Sequence, residues 1–160
     1  MADPDPITEL LAERRVERVA ANPGFVNARL KQAADNVESA KLLRASNARA
    51  AVTIAYDAMR FAVDAHMQAN GLRVANAPGA HRASVTYVRT RMADLLEERD
   101  LDDYEALRTV RNRIEYPDSG TRSGVTTAEA EEIAACSERI VVATTRWWVR
   151  HSAAQLPPMP

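Results

Sequence analysis

The sequence predicts an all-α protein, an up-and-down bundle of five to six helices, and three observations carry that prediction. Apolar residues recur at spacings of three and four along most of the chain, which is the helical period. Alanine is abundant, while glycine is rare (5 residues) and aromatics make up only 5%, a balance that suits helices packed closely on small side chains. No stretch shows the two-residue alternation of a strand. With 46% hydrophobic and 27% charged residues over 160 positions, the chain suits one folded domain with one sizeable core.

The first helix is expected over residues 7–20, with Ile7, Leu10, Leu11 and Val19 apolar and "NPG" as the breaker. Its remaining positions are highly charged, so it is expected to pack loosely or on a partner. A second helix is expected over 25–44, where Leu30, Ala33, Ala34 and Val37 keep helical spacing, and "SN" at 46–47 closes it. The third, over 48–70, carries the stripe Ala48, Ala51, Val52, Ala55, Met59, Ala62 and His66. Being mostly alanine, that stripe lets a neighbouring helix come very near. Gly71 follows where a left-handed cap belongs.

"LRVANAPGA" is expected to be a loop. A fourth helix over 81–99 shows Val85, Val88, Met92 and Leu95, and a fifth over 102–116 ends at Pro117. Thr126 and Glu129 form a T-x-x-E capping box. The last helix then shows Ile133, Ala134, Ile140, Val141, Thr144, Trp147 and Trp148. The organisation expected is a polar lead-in with a short helix over 1–24, the bundle over 25–152 and a proline-rich tail over 153–160.

The formal charge of −1 gives no global pull toward nucleic acid or membrane, so any anion site must be a local cluster. Lys31 and Lys41 are the lysines among 21 basic residues, and the rest are arginine. That bias is chain-wide and singles out no site. Cys136 is the lone cysteine and falls in an apolar-periodic run, so it is read as a buried small hydrophobe. No apolar run is long enough for a membrane span, and the first residues lack a secretion signal, so a cytoplasmic location is expected. No glycine-rich phosphate loop or cysteine–histidine metal spacing is present, so no cofactor and no metal are expected.

The stretch "RTVRNRIEYPD" (108–118) concentrates the polar chemistry. On a helix, Leu107, Val110 and Ile114 gather on the core side. Arg108, Arg111, Asn112 and Glu115 form a second stripe beside them, with Tyr116 at its edge. Glu115 is in reach of Arg111 and Arg108. This is either a solvated helix end, where arginines are favoured by the macrodipole, or an anion site with its own counter-charge.

Two segments bear on that choice. "LKQAADNVESAKLLRASNARAAVTIAYDAMRFAVDAHMQANGLRVANAPGAH" (30–81) and "RNRIEY" (111–116) together resemble the HEPN (higher eukaryote and prokaryote nucleotide-binding) family over roughly residues 26–150. The likeness lies in an amphipathic helix with "A…A…LL", then "A…AYDAMR…A", a glycine ending the second helix, and a loop leading to His81. The family's second half carries an arginine, commonly followed by asparagine, and then a histidine. Arg111 and Asn112 match in register.

The resemblance implies a helical bundle that commonly dimerises, bringing two arginine motifs into one groove. Many members are metal-independent endoribonucleases, including toxins of toxin–antitoxin and phage-defence systems. There arginine and asparagine hold the scissile phosphate while histidine handles protons as the ribose 2′-hydroxyl attacks. Arginine suits that role through its fixed fork of donors, and histidine because it titrates near neutrality.

The sequence departs from the pattern where the histidine belongs, because Tyr116 stands there. With a usual pKa of about 10, tyrosine is a poor base at neutral pH. Glu115 could serve, although nearby Arg108 and Arg111 would hold its pKa down. His81 is a further candidate if its loop folds over the groove. A related branch adenylylates a tyrosine beyond the histidine through nucleotidyltransferase antitoxins, which raises modification of Tyr116. His66 is read as a satisfied core residue, and Trp147 and Trp148 as packing.

The reading that results is an RNA-binding endoribonuclease, with Arg111 and Asn112 clamping phosphate and Glu115 and Tyr116 positioning or transferring protons. Arg108 and His81 assist binding. RNA or a nucleotide, a second copy of the chain, and an antitoxin or nucleotidyltransferase are the expected partners. The alternatives are a non-catalytic module that holds nucleotide, RNA or protein through the same arginines, and a purely structural dimerising bundle.

Overall fold

The computed structural model describes residues 5–115 and 124–154. Among the described residues six helices follow one another: α1 (Pro6–Ala12), α2 (Pro23–Leu43), α3 (Ala48–Ala69), α4 (Ala80–Arg91), α5 (Glu98–Glu115) and α6 (Thr127–Ala154). The fold is the expected all-α bundle. Among the described residues no helix is long and apolar enough to cross a membrane.

Helix α3 lies at the centre, packed chiefly on α2 and α6. The alanine stripe explains why. Ala51, Ala55, Ala58, Ala62 and Ala65 are fully buried, as are Ala33 and Ala40 of α2 and Ala130 of α6, so backbones approach with little side chain between them. The larger core residues, among them Met59, Val63, Tyr87, Tyr104 and Ile140, fill the layer between α3, α4, α5 and α6.

The ends are set by local chemistry. Asn22 Oδ1 accepts from the Phe25 amide and Asn47 Oδ1 from the Ala50 amide, satisfying donors that a helix start leaves open. Gly71 has φ 69°, the expected left-handed cap. The Thr126–Glu129 capping box forms as read: the Glu129 amide donates to Thr126 Oγ1, and the Thr126 amide donates to Glu129 Oε2.

Three expectations are corrected. The first helix stops at Ala12, and the chain turns through Arg14 (φ 55°) into a strand, β1 (Val16–Arg18). This pairs antiparallel with β2 (Leu72–Val74), which lies inside the segment read as loop, with Val16 opposite Val74. Strands this short cannot show alternation, and each finds its partner far along the chain. The N-terminal segment is also not loosely held: Ile7, Leu10 and Val16 are buried in the main core. Finally, α4 ends at Arg91 and α5 begins at Glu98, earlier than residue 102. The periodicity runs on through Leu95 because Leu95 and Leu96 still pack on the core from the connection. Glu98 and Asp100 supply the acidic first turn of α5.

Candidate functional site

Helix α5 carries the polar stripe, and its position on α3 is fixed by three kinds of contact. Leu107 and Ile114 are buried. Arg49 of α3 donates to the Ile114 carbonyl at 2.6 Å, satisfying an acceptor near the helix end. Arg113 pairs with Glu129 of α6 at 3.3 Å.

On this frame Arg111 is half-buried. Its Nε donates to Glu115 Oε1 at 2.7 Å, the expected i,i+4 pair. Its guanidinium carbon lies 5.0 Å from the centroid of the Tyr56 ring on α3, a cation–π contact. The hydrogen bond to Glu115 raises the Arg111 pKa above its ordinary value, so the group is permanently charged. Arg108 and Asn112 are exposed on the same helix. Tyr116 lies outside the described residues.

Tyr56 is also a wall of a cavity of about 420 Å³ between α3, the start of α4, and α5. Arg60 and Asp64 line it one and two turns along α3 from Tyr56, and Tyr104 of α5 and His81 of α4 face them. The three rings are broadly aligned, with His81 to Tyr104 at 6.1 Å and 26°, and His81 to Tyr56 at 6.5 Å and 31°. The Tyr104 hydroxyl is held by Ser84 Oγ at 2.5 Å, and burial pushes its pKa up.

His81 at the start of α4 lies near Tyr56, the ring that Arg111 also contacts. Burial is the main force pushing its pKa below the ordinary value; the positive Arg108 adds to this, and the Glu105 backbone opposes it. The ring is neutral at pH 7, and its buried Nε2 has no hydrogen-bond partner among the described residues. Asp64 is shifted the other way, upward, because desolvation outweighs Arg60 and Arg29.

The structure thus brings Arg111 and His81 to Tyr56, with Glu115 joined to Arg111, and leaves Asn112 and Arg108 exposed on α5. Tyr56, Arg60, Asp64 and Tyr104 escaped the sequence reading. The one signal was the repeat of polar residues at steps of four in "YDAMRFAVD", which places three groups on one line beside the alanine stripe.

The other singled-out residues are structural. His66 is 3% exposed, with Nδ1 2.8 Å from the Tyr87 hydroxyl and its ring 4.0 Å from that of Trp147. Trp148 Nε1 donates to Asn27 Oδ1 at 2.7 Å. Cys136 is buried and its thiol is pushed up to about 12. Its sulfur lies near Asp100 and Asp103, but Arg139 pairs with Asp100 at 2.7 Å.

A family model for the HEPN domain matches residues 26–147, which spans every element of the cavity and of the arginine stripe. No protein of curated description matches the chain.

Proposed function

The chain belongs to the HEPN domain family, and from that membership we propose that it binds RNA or a nucleotide through phosphate contacts on the Arg108, Arg111 and Asn112 face of α5. A homodimer would set two such faces along one groove. The observation that carries the reading is the way Arg111 is held. Glu115 engages only its Nε, one of the five donors of a guanidinium, and the Tyr56 ring supports the plane from below. A pre-positioned guanidinium loses less side-chain freedom on meeting a phosphate than a mobile surface arginine does. Asn112 adds an amide beside it, and Arg108, exposed, adds charge without an ion pair among the described residues.

The test is fluorescence anisotropy of a short single-stranded RNA against the wild type and the Arg108→Ala, Arg111→Ala and Asn112→Ala variants. Each substitution should weaken binding, Arg111→Ala most. A wild type that leaves the RNA unbound at low salt refutes the proposal.

One observation favours a second reading, a metal-independent endoribonuclease of a toxin–antitoxin or phage-defence system. His81 is a neutral imidazole with an unpartnered ring nitrogen, which is the state needed to accept a proton from a ribose 2′-hydroxyl. Glu115 is less suited, since it is an exposed carboxylate already paired with Arg111. RNA incubated with the protein in a chelator should be cleaved if this reading holds, and His81→Ala should abolish cleavage even at protein concentrations that saturate the RNA. Intact RNA under those conditions leaves the binding reading alone standing.

A further inference from the structure

We propose that the cavity between α3, α4 and α5 is a nucleobase pocket, and that the base it selects is guanine. The inference rests on the RNA-binding reading above, because the pocket is joined to the phosphate site through Tyr56. One ring carries the Arg111 guanidinium and lines the cavity. A phosphate on Arg111 and its own base in the cavity therefore lie within the span of one nucleotide.

The walls suit a planar ligand. Half-buried His81 lines the cavity with its ring broadly aligned with the buried rings of Tyr56 and Tyr104 behind it, and stacking on an aromatic face is the general means by which proteins hold unpaired bases. A volume of about 420 Å³ lies within the range of small-molecule sites, about 300–1,000 Å³. The buried Nε2 of His81 has no partner among the described residues. A buried polar atom without a hydrogen bond is costly, and a polar ligand entering the cavity would relieve that cost.

The polar groups choose the base. Arg60 and Asp64 line the cavity one helical turn apart, and Asn76 faces them from the loop before α4. Guanine carries two acceptors, O6 and N7, on one edge, and two donors, the N1 and N2 hydrogens, beside them. A guanidinium fork matches the acceptors, and a carboxylate matches the donors. Adenine places an amino group where guanine has O6, and it has neither the N1 hydrogen nor the N2 amine, so it would set donor against donor at Arg60 and acceptor against acceptor at Asp64. Asp64 is available for this role, since it forms no ion pair among the described residues. Arg60 pairs loosely with Asp57 at 3.5 Å and lies 5.5 Å from the centroid of the Phe61 ring.

The experiment measures the affinity of the full chain for a short oligouridine bearing one central guanosine, one central adenosine, or one central abasic site. The guanosine oligonucleotide should bind about tenfold more tightly than the other two, the discrimination expected of a bidentate contact. Asp64→Asn should erase that preference and leave the abasic affinity unchanged. Asn76→Ala, a change in an exposed loop, should reduce the preference and decides the matter if Asp64→Asn does not fold. Equal binding of all three oligonucleotides overturns the pocket while leaving the phosphate site intact, and preference for adenosine overturns the guanine assignment. If none of the three binds, both this inference and the RNA-binding reading fall.

Discussion

The guanidinium of Arg111 lies over the ring of Tyr56, 5.0 Å from its centroid, so one contact joins α5 to α3 and the arginine stripe to the cavity. Two separate properties of Tyr56 follow from it, its ring face and its hydroxyl. Tyr56→Phe keeps the face and should leave stability and RNA affinity nearly unchanged. Tyr56→Ala removes a buried ring from the main core and should cost about 3 kcal/mol in stability, while weakening RNA binding more than the loss of the cation–π contact alone, about 0.5–2 kcal/mol, would explain. Chemical denaturation and anisotropy titration of the two variants check this.

Glu115 competes with any phosphate for Arg111. In Glu115→Gln the guanidinium keeps its seat on Tyr56 and loses a negative neighbour, so RNA affinity should rise severalfold. Stability should fall by at most about 0.5 kcal/mol, the worth of an exposed i,i+4 pair. A variant that binds RNA more weakly than the wild type would show that Glu115 holds the arginine in its working position.

His66 makes stability sensitive to acid. Burial lowers its pKa to about 4, against about 6.5 in an unfolded chain. The Tyr87 hydroxyl, Trp147 and His151 surround it, with a smaller downward push from the positive charge of His151. Because the folded state resists protonation, the stability tied to neutral His66 is fully present above about pH 6.5 and is lost as pH falls toward 4. The loss should approach about 3 kcal/mol, and His66→Gln should flatten the stability profile over that window. Urea denaturation at a series of pH values measures both.

Gly79 precedes α4 with φ 86°, and a side chain there would strike the Arg15 guanidinium. The left-handed backbone alone disfavours alanine by about 1–2 kcal/mol, so Gly79→Ala should lower the thermal midpoint by several degrees. The same change at Gly124, which has no described neighbour within 4 Å, should be almost neutral.

Much of the helical framework was legible in the sequence. The ends of α2 and α3 fall within two residues of the reading, because caps, the alanine stripe and Gly71 are local signals. The strands were not legible, since three residues carry no period and Val16 meets Val74 only through the tertiary fold. The join of α4 to α5 was hidden because Leu95 packs on the core without being helical. In the site, the Arg111–Glu115 pair followed from helical spacing. The cavity did not, because Tyr56 and Tyr104 come from separate helices and their convergence with His81 depends on how closely alanines let the helices pack.

The salt dependence of RNA affinity for the wild type and the Arg108→Ala/Arg111→Ala double variant tests the phosphate site most directly. Counterion release predicts a wild-type log–log slope steeper by about 0.7 for each phosphate contact removed from a single strand, and a weaker double variant at every salt concentration. Two superimposable lines would contradict the account, since the arginines of α5 would then touch no phosphate.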